Sequence, residues 1–198
     1  MALSPNPLDW PPADRRERGR FDDPRRRFGT LYAAEERLAC FIETLARFRP
    51  SVRQLAAEAD ITSRERPRAS SQLPADWCDE HRLARLRLRP GQSWLDLRAF
   101  DTREALRRQF AGELLALGIA DLDLSGALTS ERALTQGIAG WAYDTGYHGV
   151  AYSSRFDVAF NCWAVFDNAM IEPILPFRRI RHDNPDLRAA ATLFGLAV

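Results

Sequence analysis

The hydrophobic periodicity of the chain changes abruptly near residue 34, and this change limits the folds that the chain can adopt. Residues 28–34, FGTLYAA, form a short apolar run that is typical of a β-strand. From Ala34 to Phe48 the apolar side chains instead recur at helical spacing on one face, and Pro50 follows the end of this pattern. We therefore predict a strand that leads directly into an amphipathic helix.

The other predicted elements interleave strands and helices without a regular βαβ rhythm. Strands are predicted over residues 82–88, 93–100, 149–154 and 161–167. Helices are predicted over residues 51–59, 101–117 and 130–143. This order predicts an α+β fold, a single compact domain with a mixed β-sheet core flanked by helices.

Short local motifs mark the ends of several elements. The Pro90–Gly91 turn joins the strands predicted over residues 82–88 and 93–100. Asp101 and Glu104 have the spacing of a capping box, and Gly118 closes the helix that they open. Ser130 is the predicted N-cap of the next helix.

The domain organisation predicted from these elements has three parts. Residues 1–14 form a Pro-rich N-terminal lead-in, and residues 15–170 form the main domain. Residues 171–198 form a C-terminal tail that packs on this domain or trails from it. Within the main domain, the polar residues 61–76 predict a long loop.

The composition predicts a soluble globular protein of the cytoplasm. Apolar residues make up 45% and charged residues 28% of the 198 residues, and no apolar run approaches the ~18 residues of a membrane span. The N-terminus lacks the charge pattern of a secretory signal. Cys40, Cys78 and Cys162 lie far apart, so we expect free thiols in a reducing compartment.

Several classes of function are disfavoured by what the sequence lacks. A net charge of +1 argues against a broad nucleic-acid surface, and the absence of lysine excludes Schiff-base and P-loop lysine chemistry. The glycine-rich fingerprint GxGxxG and the hydrolase motif GxSxG are also absent. The three histidines and three cysteines have no metal-ligand spacing, so no metal is expected.

Three residues in the first part of the chain, Arg20, Tyr32 and Glu43, follow one another at steps of twelve and eleven. Each has an ordinary structural explanation: a solvated basic loop, half-buried packing, and an ion pair from Glu43 to Arg47 one turn on. Each of the three residues also has a possible functional explanation. Glu43 lies roughly 140° from Leu38 on the helical wheel, away from the apolar stripe, so its carboxylate could face a cleft.

The motifs taken in order resemble the RES domain, a family named for its Arg, Glu and Ser. The first block is GRFDDP, then GTLYAAE, then a helix carrying FIETLA. The second block is LTQGIAGWAYDTGYHGVAYSSRFD followed by NCWAVFD. The resemblance covers roughly residues 15–170 and implies an ADP-ribosyltransferase-like fold and an enzyme that consumes NAD.

Carried over by position, the resemblance implies Arg20, Tyr32, Glu43 and Ser154 as the catalytic residues, with Ser153 as the adjacent alternative for the family serine. His148 stands where an acidic residue is expected. NAD would be bound by Arg20, Tyr32 and Ser153, as a substrate and without a metal.

Each of these residues has an implied role in cleavage of the nicotinamide–ribose bond. Glu43 would hold a ribose hydroxyl and offset the positive charge of an oxocarbenium-like state. Tyr32 would pack against the nicotinamide or the ribose. Two roles stay open for Arg20, binding the pyrophosphate or orienting Glu43, and two for Ser154, hydrogen bonding to the ribose or positioning Glu43.

The resemblance also implies a biological setting. Many RES domains are bacterial toxins paired with an antitoxin that carries an Xre-like DNA-binding module. Direct contact of this chain with nucleic acid or membrane is not expected, and homo-oligomerisation is left open. Two alternatives remain at this point, an ADP-ribosyltransferase that modifies a host protein and a non-catalytic RES-like binding module.

Overall fold

Eight strands and seven α-helices are formed by the residues that the computed structural model describes, which are 8–16, 19–59, 71–122 and 132–198. The strands are β1 (Thr30–Ala34), β2 (Ser71–Gln72), β3 (Arg82–Leu88), β4 (Leu95–Asp96), β5 (Gly149–Ser153), β6 (Asn161–Phe166), β7 (Ile171–Arg179) and β8 (Leu196–Ala197). The helices are α1 (Arg37–Leu45), α2 (Val52–Ala59), α3 (Trp77–Glu80), α4 (Phe100–Gln109), α5 (Ala111–Ala116), α6 (Arg132–Asp144) and α7 (Pro185–Phe194).

The central sheet has four strands in the order β1-β6-β5-β4. The β1–β6 and β5–β6 pairs are antiparallel, whereas β4 and β5 are parallel, so the sheet is mixed. Cys162 of β6 is the register partner of both Ala34 and Tyr152, on the two neighbouring strands. The predicted α+β domain with a mixed sheet is thus confirmed.

Two smaller pairings lie outside this sheet. Strand β3 pairs with β7 in an antiparallel ribbon, and β2 pairs with β8 in parallel. The predicted strand over 82–88 is confirmed, but the one over 93–100 shrinks to Leu95–Asp96 and belongs to a different sheet from β3. The Pro90–Gly91 segment therefore connects two separate sheets.

The single helix predicted over 101–117 is two helices in the structure, α4 and α5, separated at Phe110. One of the predicted caps also differs. Helix α4 begins at Phe100 with Ala99 as its N-cap, so the capping box predicted at Asp101 is wrong. The reason is local, because the turn from Asp96 to Ala99 already directs Phe100 into the helix. Gly118, with a positive φ of 68°, follows α5 as predicted.

The predicted N-cap Ser130 and most of the predicted loop over 61–76 lie outside the described residues. Where the structure describes the helices, none is long and apolar enough to cross a membrane.

Two apolar clusters hold the fold together, and α1 belongs to the second of them. The first packs the sheet against α4, α5 and α6 through residues such as Leu106, Ile138 and Phe166, which are almost fully buried. The second packs α1 on α3 and α7, with Leu45 and Leu187 fully buried. Burial of such a side chain stabilises the fold by about 1.5–3 kcal/mol.

Candidate active site

The side chains of Glu43 and Ser154, which are 111 residues apart in sequence, form a hydrogen bond. Ser154 Oγ donates to Glu43 Oε1 at 2.6 Å, and Ser154 Oγ in turn accepts from the backbone N–H of Phe156 at 3.1 Å. Ser154 directly follows β5 and is completely buried. Its hydroxyl hydrogen is thereby committed to the carboxylate.

Glu43 reaches this position because α1 buries its opposite side. Phe41 and Leu45, on that opposite side of α1, are buried, while Glu43 is only half-buried. Glu43 forms no ion pair with Arg47 within the described residues, so the ordinary i,i+4 explanation is not what the structure shows. Its second oxygen, Oε2, has no hydrogen bond to any described residue.

Arg20 lies in a tight turn beside the sheet. The guanidinium carbon is 5.8 Å from the centre of the Tyr152 ring, close enough for a cation–π contact. Nη1 of Arg20 is buried and has no hydrogen-bond partner among the described residues. A buried N–H group without a partner is costly, so this atom indicates where an acceptor on a ligand would be held.

Tyr32 presents two different faces to its surroundings. Its side chain is 45% exposed, although its hydroxyl accepts from Phe21 N–H at 2.9 Å and donates to Asp22 Oδ1 at 2.8 Å. Burial of the hydroxyl, helped by the negative charge of Asp22, raises the pKa of Tyr32 well above its ordinary value. The hydroxyl is therefore a hydrogen-bond donor at neutral pH, and the ring remains accessible.

Arg20, Tyr32 and Glu43 line one cavity of about 520 Å³, which we call the site cavity. Its lining comprises Gly19, Arg20, Tyr32, Ala33, Ala34, Cys40, Glu43, Thr44, Arg47, Arg132, Tyr152, Arg155 and Cys162. Four arginines and one glutamate carry its charge, and none of these arginines forms an ion pair with another described residue. The site cavity therefore suits an anionic ligand.

Two thiols line the same cavity as Glu43: Cys162 is buried and Cys40 is half-buried. Burial raises the pKa of Cys162 to about 12, and the negative charge of Glu43 adds to this increase. Burial also raises the pKa of the Cys40 thiol. Both side chains are therefore neutral near pH 7, and neither has the lowered pKa of a nucleophilic cysteine.

Two other predicted residues lie elsewhere. Ser153 is buried in β5, and neither Ser153 nor Ser154 lines the site cavity. His148 lies at the opposite end of β5, where its Nδ1 accepts from the backbone N–H of Ser93 at 3.1 Å. The structure thus joins Ser154, rather than Ser153, to Glu43.

Sequence reasoning missed three arginines that line the cavity and Asp22, which lies behind it and bonds to Tyr32. Asp22 is visible in the GRFDD motif but carries no signal that it will bond to Tyr32. Arg47, Arg132 and Arg155 come from three distant segments, and only the fold brings them to one cavity. Within the described part of the chain, no three His, Cys, Asp or Glu side chains converge to hold a metal ion.

The family model described as the RES domain matches residues 5–183. The chain belongs to the RES domain family. RES domains are NAD-related domains of toxin–antitoxin systems and are generally paired with antitoxins. No curated protein and no solved structure matches the chain, so the likeness to ADP-ribosyltransferases stays a prediction.

Proposed function

We propose that this RES domain binds NAD in the site cavity and cleaves the nicotinamide–ribose bond. The observation that carries the proposal is the hydrogen bond from Ser154 to Glu43, which leaves Glu43 Oε2 free of partners among the described residues. A carboxylate held in this way is ready to accept a hydrogen bond from a ribose hydroxyl. Its orientation would not depend on the ligand, which is what electrostatic preorganisation requires.

Cleavage moves the electron pair of the glycosidic bond onto the nicotinamide nitrogen, which neutralises its positive charge. The ribose then carries the positive charge of an oxocarbenium-like state. Glu43 would stabilise this charge, and Ser154 would fix the orientation of Glu43. Of the two roles open for Ser154, its full burial and its bond to the carboxylate favour positioning.

The charge of the site cavity supports a dinucleotide as the ligand. The pyrophosphate of NAD carries two negative charges, and the unpartnered Nη1 of Arg20 offers a donor for one of its oxygens. Arg47 and Arg155 stack on the adjacent rings of Phe48 and Phe156 and would add positive charge to the cavity. The accessible ring of Tyr32 offers a flat surface for the nicotinamide or the ribose.

The acceptor that takes the ribose decides the second product. With water, the acceptor loses a proton and ADP-ribose forms, whereas a protein side chain would give an ADP-ribosylated protein. By its family, the chain would be the toxin of a pair whose antitoxin carries an Xre-like DNA-binding module.

The proposal is tested by incubating the purified chain with NAD and measuring nicotinamide by chromatography. We expect release by the wild type and almost none by Glu43→Gln, in which the amide oxygen can still accept from Ser154. Mass spectrometry of the second product then identifies the acceptor. Absence of release with water, phosphate and cell proteins all present as acceptors would overturn the proposal.

A further inference from the structure

The buried carboxylate of Asp22 stabilises the turn that carries Arg20 through hydrogen bonds to both of its oxygens. Asp22 Oδ2 accepts from the backbone N–H of Gly19 at 2.7 Å, and Asp22 Oδ1 accepts from the Tyr32 hydroxyl at 2.8 Å. The backbone N–H of Asp22 also bonds to the carbonyl of Gly19. Asp22 is only 6% exposed, so these bonds form away from bulk water.

Neighbouring elements hold the same turn from outside. The Tyr32 hydroxyl accepts from Phe21 N–H, and Thr30 Oγ1 donates to the carbonyl of Phe21 at 3.2 Å. Gln136 Nε2 of α6 donates to the carbonyl of Gly19 at 3.0 Å. The residues on both sides of Arg20 are thus fixed to β1 and to α6.

The space at Gly19 shows how closely this turn is packed. A Cβ atom at this position would overlap the Tyr32 hydroxyl oxygen and would lie only 2.6 Å from Asp22 Oδ1, which leaves no room for a carbon. Glycine is therefore required for the hydroxyl and the carboxylate to meet at this point of the turn.

Arg20 depends on this turn for its direction. No carboxylate of a described residue pairs with its guanidinium, and its Nη1 has no hydrogen-bond partner among them. Apart from the contact with Tyr152, its aim into the site cavity comes from the backbone on either side. A shift of that backbone would move the guanidinium directly.

We infer that Asp22 is a positioning residue, which acts with the Tyr32 hydroxyl to aim Arg20 at an anionic group of the substrate. The inference rests on the proposed function for the identity of that substrate. The two parts of Tyr32 then have different roles. Its ring lines the cavity, whereas its hydroxyl holds the turn and does not contact the ligand. The inference also gives Asp22, the first aspartate of GRFDD, a role distinct from that of Asp23, which bonds to Arg27.

Two substitutions remove the proposed bonds while keeping the shapes of the side chains. Asp22→Asn replaces one accepting oxygen with an amide group, so it loses the bond to Gly19 or to Tyr32. Tyr32→Phe keeps the ring and loses both hydroxyl bonds. We expect each to slow nicotinamide release by about 10-fold or more, as loss of a hydrogen bond to a charged group commonly does.

The decisive comparison places Asp22→Asn in wild-type and in Arg20→Ala backgrounds. If Asp22 acts through Arg20, the substitution slows release in the first background and has no further effect in the second. An equal loss in both backgrounds would overturn the inference, because it would show a merely structural role. Full activity of both Asp22→Asn and Tyr32→Phe would overturn it too.

Matched controls and a second readout keep the test independent of folding and of NAD cleavage. Tyr147→Phe and the exposed Asp101→Asn change the same groups outside the site cavity and should retain wild-type release. Melting temperatures identify any variant that fails to fold, in which case Tyr32→Phe carries the test alone.

Calorimetric binding of inorganic pyrophosphate separates this inference from the proposed function. If the wild type does not cleave NAD, the proposed function fails while the binding measurement still decides the role of Asp22. Binding weakened about equally by Asp22→Asn and Arg20→Ala supports the inference. Absent binding, or binding unchanged in Asp22→Asn, would overturn it.

Discussion

The site cavity and a larger neighbouring groove share the wall formed by β1, yet their charged side chains are engaged differently. The groove has a volume of about 700 Å³ and lies between the sheet and the β3–β7 ribbon. Tyr32, Ala33, Ala34 and Cys40 border both spaces. A volume comparison alone would therefore select the groove as the binding site.

Three of the five charged side chains that line the groove are engaged by the protein, whereas the side chains of Arg85 and Arg178 form no hydrogen bond or ion pair with a described residue. Glu35 accepts from Asn161 at 3.0 Å, Arg37 pairs with Asp186 at 3.1 Å, and Arg82 donates to two backbone carbonyls. In the site cavity, by contrast, the guanidinium of Arg20 has a buried N–H without a partner among the described residues. This difference is the reason for proposing the smaller cavity, rather than the larger groove, as the binding site.

The largest effect is expected from Glu43→Gln, compared with Glu35→Gln in the groove. Removing the charge of Glu43 should reduce the rate of nicotinamide release by ~10²–10³-fold, because one well-placed electrostatic group commonly contributes that much. Glu35→Gln should retain wild-type release. Equal losses in the two variants would abolish the distinction between the two cavities.

Arg20→Ala is expected to have the next largest effect, with Arg85→Ala of the groove as its control. Loss of the guanidinium should lower kcat/KM for NAD by ~10²-fold, because a charged donor to the pyrophosphate is lost. Steady-state kinetics of nicotinamide release measure both variants. Near-normal kcat/KM in Arg20→Ala would remove this residue from the site.

Ser154→Ala and Ser153→Ala should differ although the residues are adjacent. Ser154→Ala leaves Glu43 and the N–H of Phe156 without their shared partner, so we expect release to fall about 10-fold and stability to fall by about 1–3 kcal/mol. Kinetics and urea unfolding of both variants measure these changes. A greater loss of activity in Ser153→Ala would instead make Ser153 the family serine.

A smaller effect concerns the pH dependence of stability. The pKa of Cys162 is raised from 9.0 to about 12 in the folded chain, so the folded thiol keeps its proton where the unfolded thiol loses it. Stability from this group is fully present below pH 9 and is lost as the pH rises towards 12. The loss should be on the order of 1 kcal/mol at pH 10.

Urea unfolding of the wild type and Cys162→Ala between pH 8 and pH 10.5 tests this expectation. The free energy of unfolding should decline less steeply with pH in the variant. Parallel declines would show that the thiol of Cys162 titrates alike in the folded and unfolded states.

Local patterns predicted many elements of this fold, but β7, α7 and β8 fall in the segment predicted only as a tail. The pairing of distant strands was also beyond these patterns. The spacing of apolar residues predicted α1, and the alternation in RLARLRL predicted β3. The alternation specifies which side chains share a face but not which strand lies alongside. The pairing of β3 with β7, more than eighty residues later, and the parallel pairing of β4 with β5 therefore had no local signal.

The candidate site shows the same limit. Arg20, Tyr32 and Glu43 lie close in sequence, and their resemblance to a family motif predicted them before any geometry was known. The helical wheel placed Glu43 away from the apolar stripe. That position fits either an exposed ion pair with Arg47 or a carboxylate that faces a cleft. The contact with Ser154, 111 residues away, becomes visible only in the folded structure.

The most direct test of the central claim is to locate NAD on the protein. A crystal structure of the Glu43→Gln variant grown with NAD should show the pyrophosphate within hydrogen-bond distance of Arg20 and the nicotinamide ribose beside residue 43. All other side chains of this variant are wild type, so both the site cavity and the groove remain available to NAD. NAD bound in the groove between the sheet and the β3–β7 ribbon would contradict the account.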